Sequence, residues 1–140
     1  MTQAHNIHIA EQLAREISRE ATARGVSWSV MTTTLLTEAL KMWRVPGIVM
    51  MDGPTGRRAV VAGSGLDVWE IIATWQACGK DEHQLAQNYP WLTQPQLRAA
   101  LAYYELYPDE IDTRLEREHQ WTPERVRREL PFAMPHSSDV

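Results

Sequence analysis

The sequence predicts a mainly helical protein in which a short β-hairpin separates an N-terminal helical unit from a C-terminal one. Three observations lead there. Apolar residues recur three and four apart through most of the chain. Two β-prone runs, Ile48-Val49-Met50-Met51 and Arg57 to Ala62, flank the turn Asp52-Gly53-Pro54-Thr55-Gly56. Capping residues (Ser27, Asp67, Asp81, Thr93 and Thr122) stand just before the periodic segments, where a side chain can accept from free helix N–H groups. Four parts follow from these signals: 1–46, 47–66 as hairpin and connector, 67–120, and a last helix and tail over 121–140.

The first part opens with Asn6-Ile7-His8-Ile9, an alternating run too brief to bury a face alone. Ile9, Leu13, Ile17 and Ala21 then lie four apart on one helical face, and Gly25 ends the segment because glycine reaches the positive φ of a C-cap. Ser27 starts a second helix with the apolar set Val30, Leu35, Leu36, Ala39, Leu40 and Trp43, and Val45-Pro46-Gly47 stops it.

After the hairpin, Gly63-Ser64-Gly65 joins to a helix from Val68 to Cys78, with Ile71, Ile72 and Trp75 on its stripe. A short helix over Glu82–Asn88 points Leu85 and Ala86 inward. Tyr89 to Thr93 forms a turn. A longer helix follows from Gln94 to Tyr107, with Pro95 in its first turn and Leu97, Ala100, Leu101 and Tyr104 as its stripe. Asp109–His119 is a charged helix with Ile111 and Leu115 inward, and Thr122-Pro123 begins a last one to Leu130.

Composition narrows the function classes. The chain has 140 residues and a net charge of −4, which is unlike the basic footprint of most nucleic-acid binders. The charge is uneven: residues 1–46 carry five Lys/Arg against four Asp/Glu, and residues 108–140 carry five Arg against eight acids. If DNA is bound, the N-terminal part is the better electrostatic candidate. No apolar run reaches the roughly 20 residues of a membrane span, and no signal-peptide pattern opens the sequence. The one cysteine, Cys78, allows neither an intrachain disulfide nor a paired-cysteine zinc site. A soluble, cytoplasmic protein is the expectation.

No constellation points to catalysis, a metal or a cofactor. Gly63-Ser64-Gly65 lacks the third glycine and the βαβ frame of a dinucleotide site. Strand alternation would put His5 and His8 on opposite sides, so they would not pair as metal ligands. Glu105, Asp109, Glu110 and Asp112 fit a solvated helix junction better than a cation site, and no Ser/His/Asp set is suggested by spacing. Of the six tryptophans, Trp43, Trp69, Trp75 and Trp91 occupy apolar positions suited to core or dimer interface.

The order strand, helix, glycine turn, helix resembles the ribbon-helix-helix family. Ile9-Ala10-Glu11-Gln12-Leu13 matches its strand-to-helix junction and Gly25-Val26-Ser27-Trp28-Ser29 its inter-helix turn. The resemblance implies a homodimer whose paired strands enter the major groove. It further implies that Asn6 and His8 read bases and that Ser27, Trp28 and Ser29 position phosphate. The groove-facing strand positions, commonly Lys, Arg, Gln or Asn in the family, are Ala4, Asn6 and His8 here, so Ala4 and His8 depart from the pattern.

Arg57 to about Arg114 resembles a second family, the small helix-turn-helix proteins catalogued as domain of unknown function 433. The resemblance rests on Val61-Ala62-Gly63-Ser64-Gly65, Tyr89-Pro90-Trp91-Leu92-Thr93 and Leu97-Arg98-Ala99-Ala100-Leu101-Ala102-Tyr103-Tyr104. Such proteins are similar to VapB-type antitoxins, which bind their own promoter as dimers and block a PIN-domain ribonuclease toxin through a C-terminal segment. The implied DNA contacts here are Gln94, Gln96 and Arg98 at the start of a recognition helix, since Gln suits adenine and Arg guanine. Arg57 and Arg58 would contact phosphate or simply flank the hairpin turn in water. Arg125, Arg127, Arg128, Phe132 and Met134 would face the toxin, unless Arg125 and Glu129 only make an ordinary i,i+4 pair. The expected function is thus an antitoxin-like transcriptional autorepressor, with no enzymatic activity. The alternative is a protein-interaction or dimerisation module without direct DNA binding.

Overall fold

The computed structural model describes residues 1–130, which hold seven helices and one two-stranded antiparallel sheet. The chain divides into two compact units, the first Met1–Arg44 and the second from Val45 onward.

In the first unit α1 (Glu11–Arg24) and α2 (Trp28–Arg44) pack on each other. Gly25 sits at φ +66 and closes α1: its N–H donates to the Thr22 carbonyl, and the Val26 N–H to that of Ala21. Ser27 Oγ accepts from the Val30 N–H at 3.1 Å, as an N-cap should. The core is small, consisting of Ile17, Ala21 and Met31. The strand expected over Asn6–Ile9 is not formed. Residues 1–10 carry no regular structure and Ile7 is exposed. Such a run needs a partner strand, and among the described residues the sheet pairs only β1 with β2. The ribbon implied by the ribbon-helix-helix resemblance is therefore not formed within the chain.

The second surprise is which side of α2 is buried. Met31 and Glu38, seven apart, lie on the covered side, while Leu36, Leu40 and Trp43 are exposed. The apolar set read from the sequence is mostly on the outside.

The second unit begins with the hairpin, β1 (Ile48–Gly53) and β2 (Gly56–Val61), in register from Ile48↔Val61 to Gly53↔Gly56. Gly53 is required by a close approach, since a Cβ there would stand 2.8 Å from Arg58 Cδ, whose side chain crosses the strand end. β2 buries Ala59, Val60 and Val61, so the hairpin belongs to the core and is more than a connector. Asp67 caps α3 (Val68–Ala77) through a capping box with Glu70. α3 is the hub of the unit: α4 (Glu82–Asn88), α5 (Gln94–Leu106), α6 (Pro108–His119) and β2 all pack on it. Ile71, Ile72, Leu85, Ala100 and Tyr103 are fully buried among fifteen core residues. On α5 it is Tyr103, one residue before the expected Tyr104, that enters the core. Tyr104 stays half-exposed and bonds to Asp112 at 2.7 Å. Pro108 occupies the first turn of α6, where a missing N–H costs little, and α7 (Pro123–Glu129) follows. Of the tryptophans, Trp69 and Trp75 pack partly against this core, whereas Trp43 and Trp91 are exposed.

Candidate functional site

The first unit places its expected site residues on open surface. Asn6 and His8 lie in the irregular N-terminal stretch. Ser27 is used as the cap, Trp28 Nε1 donates to the Ala14 carbonyl at 3.3 Å, and Ser29 is exposed beside them. Thr32, Thr34 and Thr37 donate back to the carbonyls of Trp28, Val30 and Thr33, which occupies their hydroxyls within α2.

In the second unit α4, the turn 89–93 and α5 stand in the expected order, each helix firmly capped. Asp81 accepts from the N–H groups of His83 at 2.8 Å and Gln84 at 3.1 Å. At α5, the Gln96 N–H donates to Thr93 Oγ1 at 3.2 Å, and the Thr93 N–H to Gln96 Oε1 at 2.8 Å. Gln96 Nε2 also reaches the Ala62 carbonyl at 3.1 Å. Both ends of the Gln96 amide are thus used to fix α5 against the loop after β2, which leaves Gln94 and Arg98, four apart and exposed, as the free polar side chains at the start of α5.

Arg57 and Arg58 do not project freely from the hairpin. Arg57 pairs with Asp52 at 3.0 Å and donates to the Met50 carbonyl at 3.1 Å. Arg58 pairs with the buried Asp67 and donates to the Asp52 carbonyl. Asp67 also accepts from Trp69 Nε1 at 3.1 Å, so one carboxylate ties the hairpin to the start of α3.

These groups form one wall of a cleft of about 430 Å³ between the hairpin end, the start of α3 and α6. The opposite wall is α6, with Asp109, Ile111, Arg114 and Arg117. The Arg114 guanidinium lies 5.0 Å from the Trp69 ring centroid, donates to Thr55 Oγ1 at 2.9 Å and pairs with Glu118 at 2.8 Å. Its Nε is buried with no hydrogen-bond partner among the described residues. Glu110, on the same wall, accepts from the Tyr103 hydroxyl. The sequence reading missed this cleft. Arg114 and Thr55 are 59 positions apart, and no local spacing connects them. The one usable signal was the pairing of a charged helix with a tryptophan-bearing one.

The C-terminal arginines separate into two kinds. Arg125 stacks over Trp121 at 4.8 Å and pairs with Glu129 at 2.9 Å, the i,i+4 arrangement expected. Arg127 and Arg128 are exposed. Phe132 and Met134 lie outside the described residues. No cluster of three His, Cys, Asp or Glu suited to a metal occurs among the described residues, and none of their helices is long and apolar enough to cross a membrane.

Residues 48–104 match the family model described as "Protein of unknown function (DUF433)". The DUF433 segment comprises β1, β2, α3, α4 and most of α5. It therefore starts one strand earlier than the motifs suggested and stops before α6. Arg58, Asp67 and Trp69 fall inside it, while Arg114 and Arg117 come from outside it. No curated protein and no solved structure matches the chain.

Proposed function

We propose that the chain is a homodimeric, antitoxin-like regulator that pairs through its first unit, presents its second unit to an operator in its own promoter, and restrains a PIN-domain ribonuclease toxin. The observation that carries the dimer is the outer face of α2. Leu36, Leu40 and Trp43 are 59%, 52% and 85% exposed at successive helical turns, and the unit's own core holds only three residues. A helical pair of roughly 40 residues with so little buried area ordinarily needs a second copy to be stable. The operator contact is supported by Gln94 and Arg98, one turn apart on a capped helix that follows a shorter one. The toxin contact is supported by the exposed Arg127 and Arg128, whose guanidinium groups suit a carboxylate cluster.

Light scattering of the full chain tests the first step. A dimer is expected, and Leu40→Glu with Trp43→Glu should weaken it roughly 100-fold, because two buried apolar anchors are replaced by charge. A monomer at all concentrations overturns the reading. A gel shift on the upstream DNA of its gene tests the second step, with Arg98→Ala expected to weaken binding about tenfold and steep salt dependence expected throughout.

A specific observation favours a second reading, that of a dimeric interaction module that does not touch DNA. Gln96 is fully engaged in the cap and Arg98 is the one cation on the outer face of α5. Salt-insensitive capture of a partner without a gel shift would select that reading.

A further inference from the structure

We propose that two copies of the chain close a four-helix bundle in which the α2 helices form an inner, antiparallel pair and the α1 helices lie outside. The inference rests on the homodimer reading and adds to it which helices meet, in which direction and at which residues.

The first observation is a difference between the two helices. α1 carries one apolar stripe, buried at Ile17 and Ala21, while Gln12, Arg15, Glu16, Arg19 and Glu20 are exposed round the rest of it. One stripe and a polar remainder describe a surface helix. α2 is apolar on two sides. Met31 is buried, whereas Leu36, Leu40 and Trp43 stand in the open on nearly the opposite side. A helix with two apolar sides is an inner helix, and one side of α2 still lacks its cover.

The second observation is the chemistry of that side. From Ser29 through Thr33, Leu36 and Leu40 to Trp43 it carries no charge. It therefore gives a charged partner nothing to pair with, and it meets a copy of itself without repulsion. A second copy also brings apolar surface of its own, which enlarges a core of only three residues.

The ends of the helix set the direction. Lys41 and Arg44 make the last turn of α2 cationic, and its first turn holds no acid. A parallel pair would place two cationic turns side by side. An antiparallel pair sets Arg44 beside the uncharged Thr33 to Thr37 stretch of the other copy and opposes the helix dipoles. Neighbouring helices of short-looped bundles run that way as well. With Leu40 at the two-fold axis, the broad Trp43 ring lies against the smaller Leu36 of the other copy at both ends of the contact.

Spin labels on Ser29→Cys, in a full chain that also carries Cys78→Ala, read the direction. Ser29 is eleven residues before Leu40. At ~1.5 Å per residue on each side of the axis the labels should stand about 33 Å apart, against about 10 Å in a parallel pair. Sedimentation equilibrium reads the contact. Leu36→Glu should weaken the dimer at least tenfold, and Arg19→Glu, on the outer side of α1, should leave it unchanged. A dimer whose labels lie about 10 Å apart, or one that Arg19→Glu breaks and Leu36→Glu spares, overturns the bundle and leaves the dimer standing. A monomer at all concentrations overturns both.

Discussion

The two units are built from similar amphipathic helices, yet they solve the problem of burial differently. From Val45 onward, four helices (α3 to α6) and a hairpin share one core of fifteen buried residues, with α3 at its centre. The first 44 residues close only Ile17, Ala21 and Met31 between two longer helices. The lesson is that helix length and apolar content do not secure a core. What counts is how many other elements reach the same face, because stabilisation follows the area removed from water. A single helix pair covers one side of each helix and leaves the other bare, and on α2 the bare side is the more apolar one.

The sharpest way to break that comparison is a matched pair of truncations. Ile71→Ala removes a fully buried side chain from the larger core and should cost about 2–5 kcal/mol. Ile17→Ala, in the three-residue core, should cost under about 2 kcal/mol, because neighbours there can close around the gap. Hydrogen exchange read separately over α1/α2 and over α3/α5 gives both numbers. Equal losses would mean that the first unit is as well packed as the second.

A smaller effect is expected at the start of α5. Thr93→Ala removes the acceptor for the Gln96 N–H and should cost about 1 kcal/mol by urea denaturation. Because Gln96 also reaches Ala62, the substitution should loosen the loop after β2 as well, a coupling with no counterpart in the first unit.

The smallest effect is a pH dependence. The hydrogen bond to Asp112, then burial, then the Asp112 charge raise the Tyr104 phenol above its usual value of about 10, with Gln76 opposing. A folded-state value above the unfolded one means that the phenol's contribution is complete below pH 10 and is lost as pH rises through the higher folded value. Thermal melts between pH 9 and 11 should show this loss in the parent and a flatter profile in Tyr104→Phe. Identical profiles would remove Tyr104 from the account.

Much of the local structure was legible because local chemistry decides it. Gly25, Ser27, Asp67, Asp81, Thr93 and Thr122 cap or end helices near where side-chain and backbone rules put them. The hairpin closes on the turn its Gly/Pro/Asp content announced. Ile111 and Leu115 point inward from a charged helix because two apolar residues four apart leave little choice.

Tertiary structure decided the rest, since periodicity marks a helix's faces without saying which will be covered. α2 buries Met31 and Glu38 because α1 meets that side, and Tyr103 takes the core position in place of Tyr104 because α3 and α6 approach α5 from its direction. The stretch 6–9 alternates as a strand does, but β structure is completed by a neighbour, and pairing cannot be read from one segment. The cleft is the clearest case. Arg58, Trp69, Arg114 and Thr55 are ordinary residues in their own segments, and only the packing of α6 beside the hairpin and α3 makes them the walls of one site.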